Sequence, residues 1–66
     1  MIGKNIKRFR MKRNLTQEQL AQNAEVTYSS LSKIEAGYND NPRVKTLRKI
    51  AIALGVTIDD LMKGVK

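Results

Sequence analysis

The amino-acid sequence predicts an all-α protein, a compact domain of five short helices in which no strand can be read. Three observations carry this. Apolar residues recur at i, i+3 and i+4, the period of a helix face. Hydroxyl residues stand where helices begin and glycines where they end, at Thr16, Thr27 and Thr57 and at Gly37 and Gly55. The length of 66 residues confines the chain to one domain, residues 1–66.

The first helix is expected over about Ile2 to Lys12, with Ile2, Ile6 and Phe9 on one face. Asn14 and Leu15 break it. Thr16 opens the second helix and stands three residues before Gln19, the spacing of a capping box. Leu20, Ala21 and Ala24 are its inward stripe. Thr27 caps the third helix, and Val26 before it staples onto Leu31. Ile34 continues that stripe, and Gly37 ends it where a left-handed backbone is cheap. Tyr38 to Pro42 is a loop. Val44 to Leu54 is the fourth helix, with Leu47, Ile50, Ala51 and Leu54 inward and Gly55 as its stop. Thr57 starts a last helix from Ile58 to Lys63, with Val56 stapled to Leu61. The segments VTYSSL (26–31) and VTIDDL (56–61) use one cap-and-staple solution twice, and their unrelated flanks argue against a repeat protein.

Composition removes whole classes of function. The chain has no Cys and no His, so a zinc site, disulfides and cysteine or histidine catalysis are excluded on chemical grounds. Hydrophobic residues make up 41% with only three aromatics, which indicates a small aliphatic core rather than disorder. A core of this size rarely supplies more than about 3–5 kcal/mol, so idealised helices, a partner subunit, or both are expected. The longest apolar run, Ile50 to Leu54, is far short of a membrane span. The basic N-terminal residues lack the apolar stretch of a signal peptide, and a cytoplasmic location is the expectation. Ile2, Ile6 and Phe9 beneath a crown of Lys and Arg have the form of a membrane-surface helix, but a core this small needs all three. Asp59 and Asp60 are adjacent and point about 100° apart, so they are no working acid–base pair. Asp60, three residues after Thr57, instead favours a helix start. No enzyme activity, cofactor or metal is expected.

The net charge of +7 is unevenly placed. Residues 4–13 carry six positive charges and no acid, residues 14–42 are net negative, and residues 43–49 add four positives. Two separate basic clusters suit the edges of a polyanion, with a nearly neutral middle for specific contacts.

The second and third helices meet across a turn at about Ala24 to Val26. Apolar Leu20, Ala24, Val26, Leu31 and Ile34, with small Ala21 where the helices approach, have the joint spacing of a helix-turn-helix over about residues 16–36. On the third helix Ser29, Ser32, Lys33 and Ala36 lie opposite Leu31 and Ile34, and Tyr28 projects from its first turn. Tyr28, Ser29, Ser32 and Lys33 are therefore the candidate readers of base edges.

The stretches LTQEQLAQNAEVTYSSLSKIEAG (15–37) and NPRVKTLRKIAIALGVTIDDL (41–61) resemble the phage-repressor/Cro helix-turn-helix family, often called XRE-like. The resemblance covers nearly the whole chain and implies a five-helix domain of the lambda-repressor-like type. It also implies sequence-specific binding of double-stranded DNA, commonly as a homodimer on a palindromic operator. It places a phosphate-binding amide at Gln17 and an interhelical ion pair at Arg10 and Glu35. Thr27, Asn41, Arg43 and the loop backbone from Tyr38 are further candidates for phosphate, Arg43 the strongest of those beyond the third helix. Arg10 is a candidate for phosphate as well. The family usually has Gly in the turn, where this chain has Glu25; a left-handed backbone there would cost about 1 kcal/mol.

A transcriptional regulator, acting as a repressor, is the expected function. An antitoxin that neutralises a toxin partner and autoregulates its operon is the alternative from another class, and controllers of restriction–modification operons are a variant of the first. The sequence identifies no protein partner. For the dimer contact, Val56, Ile58, Leu61, Met62 and Val65 offer more apolar positions than a short terminal helix needs for its own subunit.

Overall fold

A computed structural model describes residues 2–64. It contains α1 (Ile2–Lys12), α2 (Gln17–Ala24), α3 (Tyr28–Ala36), α4 (Val44–Leu54) and α5 (Ile58–Met62). The order and bounds follow the sequence pattern except at the end of α5. That helix stops at Met62, one residue early, because Lys63 is extended, with φ −60° and ψ 126°.

The caps account for these boundaries. Thr16 and Gln19 form a reciprocal capping box at the start of α2, with Gln19 N–H donating to Thr16 Oγ1 (3.1 Å) and Thr16 N–H donating to Gln19 Oε1 (2.9 Å). Thr57 and Asp60 do the same for α5, and these bonds hold the Asp60 carboxyl below the usual carboxylate range. Thr27 caps α3 through Ser30 N–H. Arg43 stands at the N-cap of α4 and gives no side-chain hydrogen bond to it, so the first N–H groups of that helix have no side-chain cap from that residue.

One core joins the five helices: Ile2 and Ile6, Leu20, Ala21 and Ala24, Leu31 and Ile34, Leu47, Ile50, Ala51 and Leu54, and Leu61. Every residue assigned inward from helical spacing is in it or, like Phe9 and Val26, half-buried against it. Helix α2 packs on α3 and α4, and α1 bridges α3 and α5.

Two fastenings of α1 carry no periodic signal. At Gly3 the helix passes so close to α3 that a Cβ would overlap the Ile34 carbonyl oxygen and crowd Glu35. Asn5 is buried and donates from Nδ2 to the carbonyls of Leu61 and Lys63, both at 2.8 Å, closing the C-terminal end of α5. A buried amide is tolerated there because those carbonyls have no partner within α5.

Candidate nucleic-acid interface

The face of interest is built by holding α3 on three sides. Helix α2 approaches it across buried Ala21 and Ala24, small enough to let the backbones come close. The turn between them passes through Glu25 at φ 57°, ψ 38°, the left-handed conformation in which a glycine would be unstrained. Helix α1 holds the third side through an ion pair. Arg10 Nε donates to Glu35 Oε2 at 2.8 Å and Nη2 to Oε1 at 3.0 Å, a two-pronged geometry. Arg10 Nη1 also donates to the Leu15 carbonyl at 2.7 Å. The Glu35 side chain is only 2% exposed and that of Arg10 12%.

Held this way, α3 turns Tyr28, Ser29, Lys33 and Ala36 to solvent, with Ser32 half-buried among them. Together with Tyr38 they line a single shallow hollow. The four residues named as readers are thus neighbours on one open surface. Tyr38, 86% exposed, adds a ring at the far end, which helical projection of α3 alone does not include.

Gln17 stands at the start of α2 and donates from Nε2 to Glu35 Oε1 at 3.1 Å, so it belongs to the Arg10–Glu35 network as well as to the surface. It borders a second hollow with Arg10, Thr16, Glu18 and Tyr28, next to the candidate readers. The amide keeps one N–H free for an external acceptor, and three of the five guanidinium N–H groups of Arg10 are engaged. The Thr27 hydroxyl is occupied in the cap, accepting from Ser30 N–H and donating to Ser30 Oγ at 2.8 Å.

In the loop after α3, whose backbone is a candidate for phosphate, the N–H groups of Tyr38 and Asn39 donate to the Lys33 carbonyl, and that of Asn41 donates to Asn39 Oδ1. The loop closes on itself. What it offers outward is side chains: Tyr38, Asn41 and Arg43, all exposed. Arg43 lies beside the uncapped N–H groups of α4, so charge and donors coincide there.

In the apolar C-terminal segment, Leu61 is fully buried in the core. Val56 and Ile58 are half-buried against that core, and Met62 is exposed. Val65 lies outside the described residues. Ile52 on α4, not singled out by the sequence pattern, is 73% exposed. Its position within an apolar run hides it, since periodicity there supports burial of nearly every residue.

Two helices joined by a tight left-handed turn, the second braced and displayed, define a helix-turn-helix domain. The comparisons agree. The helix-turn-helix family pattern matches residues 6–61. The transcriptional regulator SlrR of Bacillus subtilis is 39% identical over 61 residues, covering 92% of this chain and 40% of SlrR. SinR of the same organism is 36% identical over 62 residues, covering 94% of this chain and 56% of SinR. A crystal structure of SinR in complex with DNA superposes with a TM-score of 0.91 at 35% identity, over 94% of this chain and 98% of that one. The chain belongs to the phage-repressor/Cro-like helix-turn-helix family of transcription regulators. It spans about half the length of the curated relatives it matches.

Proposed function

We propose that the chain binds double-stranded DNA sequence-specifically and regulates transcription, as a homodimer on a palindromic operator and with repression as the outcome. The observation that carries this is the open face of α3, where Tyr28, Ser29, Ser32 and Lys33 are gathered without any task in the core. Lys33 donates to guanine O6 or N7, the serines reach either base type, and Tyr28 packs on a thymine methyl. Gln17 and Arg10 on one side, with Asn41, Arg43 and Tyr38 on the other, take the flanking phosphates. The solved likeness to SinR, a protein seen in complex with DNA, supports the same use of this surface.

One α3 covers too few base pairs to single out an operator. Two copies about a two-fold axis place their α3 helices about 34 Å apart, one turn of duplex. With Leu61 in the core, Ile52, Val56, Ile58 and Met62 are the apolar residues left for that contact. Repression then follows from occupancy of the promoter.

The test is selection from randomised duplexes followed by titration at several salt concentrations. A palindromic consensus should emerge. A dimer neutralising about 6–10 phosphates should lose about 10³–10⁵ in affinity between about 50 and 200 mM salt. A flat log–log plot, or no enriched sequence, would remove the reading.

A further inference from the structure

The outer face of α1 is not used by the fold or by the interface described above. Lys4, Lys7, Arg8, Met11 and Lys12 line one shallow hollow along the helix, at the i, i+3, i+4, i+7, i+8 spacing of a single stripe. Met11, the one apolar residue among them, is 59% exposed. The ring of half-buried Phe9 lies beneath two of the cations, 5.6 Å from Arg8 Cζ and 6.0 Å from Lys12 Nζ. The single ion pair among the described residues joins Arg10 to Glu35, so no carboxylate answers these four charges. The arrangement is unfavourable for the isolated helix. Lys4 and Arg8, Arg8 and Lys12, and Lys4 and Lys7 are like charges at helical-neighbour spacing, and no acid occupies the first turn to offset the dipole.

We propose that this face docks an acidic amphipathic helix of a protein partner, with an apolar residue of the partner seated on Met11 and its carboxylates against Lys4, Lys7, Arg8 and Lys12. A duplex is the other polyanion to consider, and two features disfavour it. Gly3 and Arg10 mark the side of α1 that meets α3. At about 100° per residue, Lys4, Arg8 and Lys12 lie roughly 110–170° round the helix from that line and Met11 about 90°, with Lys7 nearer at about 50°, so most of the stripe is turned away from the face of α3. An exposed thioether also gives nothing to a phosphate, whereas it fills irregular gaps against an aliphatic side chain. The charges set the sign of the partner and Met11 its amphipathic character. Docking here leaves α3 free, so partner and DNA bind together.

The experiment uses the full chain and two synthetic helical peptides of about 20 residues and equal negative charge. One carries a Leu stripe between its glutamates, and the other has Ser in place of Leu. Fluorescence anisotropy at about 50 mM salt should show the Leu peptide binding about 10-fold more tightly than the Ser peptide. Lys4→Glu combined with Arg8→Glu should weaken it about 10-fold or more, and Met11→Ser about 5-fold. All these positions are exposed, so circular dichroism should report unchanged helicity. A random-sequence duplex of about 20 base pairs, added at low salt, should form a ternary complex rather than displace the peptide. Equal binding of the two peptides would reduce the face to diffuse charge and overturn the proposal. Displacement by the duplex, with the Lys4/Arg8 variant losing duplex and peptide affinity in parallel, would reassign the face to nucleic acid. Absence of peptide binding would overturn it outright.

Discussion

Glu35 is the place where one substitution should undo the domain and a second should restore it. Its carboxylate accepts from Arg10 Nε (2.8 Å), Arg10 Nη2 (3.0 Å) and Gln17 Nε2 (3.1 Å), and is almost wholly removed from water. Glu35→Leu leaves the Arg10 guanidinium largely buried with only the Leu15 carbonyl as acceptor. Breaking a buried pair from one side costs about 3–5 kcal/mol, as much as a core of this size supplies in total. The single variant should therefore be mostly unfolded at 25 °C. Arg10→Met with Glu35→Leu removes both charges and fills the volume with apolar groups, and should return to within about 1 kcal/mol of the parent. Gln17, half-buried, turns its amide to water in that variant. Urea denaturation of the parent, both single variants and the double variant, followed by circular dichroism, closes the cycle, with a coupling of about 2 kcal/mol or more expected. A loss below about 1 kcal/mol for Glu35→Leu alone would show that Arg10 swings into solvent. Simple additivity in the double variant would refute the pairing as a stabilising unit.

Gly3→Ala should destabilise the fold by about 1–3 kcal/mol despite alanine's better helix propensity, because the new Cβ meets the rigid backbone of α3 at Ile34; a thermal melt at or above the parent's midpoint would contradict that contact. Glu25→Gly relieves a left-handed residue and should raise stability by about 0.5–1 kcal/mol, the relief of about 1–2 kcal/mol offset by glycine's freedom in the unfolded chain; chemical denaturation reads it, and a loss of stability would mean that the Glu25 side chain makes a contact worth more than the strain. Asp60 is held below its ordinary value by its bonds to Thr57. Its contribution is present above the unfolded-state value and fades as pH falls through the lower folded-state value, so parent and Asp60→Asn should differ in melting temperature at pH 7 and converge below about pH 4; an unchanged gap at low pH would assign the difference to something other than ionisation. Lys33→Ala should relax base preference at one position by about 1–3 kcal/mol, whereas Arg43→Ala should weaken all sequences alike and flatten the salt slope by about one; identical preference profiles for the parent and Lys33→Ala would remove Lys33 as a reader.

What the sequence makes legible is what depends on neighbours along the chain. The Thr16–Gln19 and Thr57–Asp60 boxes, the glycine stops and the inward stripes are local, and the structure holds each of them. The joint spacing of Leu20, Ala21, Ala24, Val26, Leu31 and Ile34 extends that legibility to one tertiary contact, since a helix pair with a short turn leaves little else to arrange. Gly3 and Asn5 lie beyond it. A helical glycine signals close approach only when the opposing backbone is known, and an asparagine in a basic helix looks like surface until the carbonyls of Leu61 and Lys63 are placed 56 and 58 residues away. The terminal segment is hard to read for a related reason. Leu61 and Met62 are both apolar, and only the packing of α5 on α1 and α4 decides that the first is core and the second surface.

These non-local fastenings converge on the helix that carries the proposed base readers. Gly3 lets α1 lie against the end of α3, Arg10 grips Glu35 one turn from Lys33 and Ser32, and Gln17 ties α2 to the same carboxylate. Position is what such a helix must supply, because a bidentate or methyl contact in a groove tolerates errors well under an ångström. The side chains that read can then be short and polar, as Ser29 and Ser32 are, since none of them has to hold the fold. The Glu35 carboxylate is at once the anchor of α3 and the acceptor for Gln17, the residue proposed for the flanking phosphate. A phosphate drawing on the remaining N–H of Gln17 therefore bears on the same three-helix node that fixes the angle of α3. In the proposed interface, contacts to the backbone of a duplex and the aim of the base readers are in this way mechanically one arrangement.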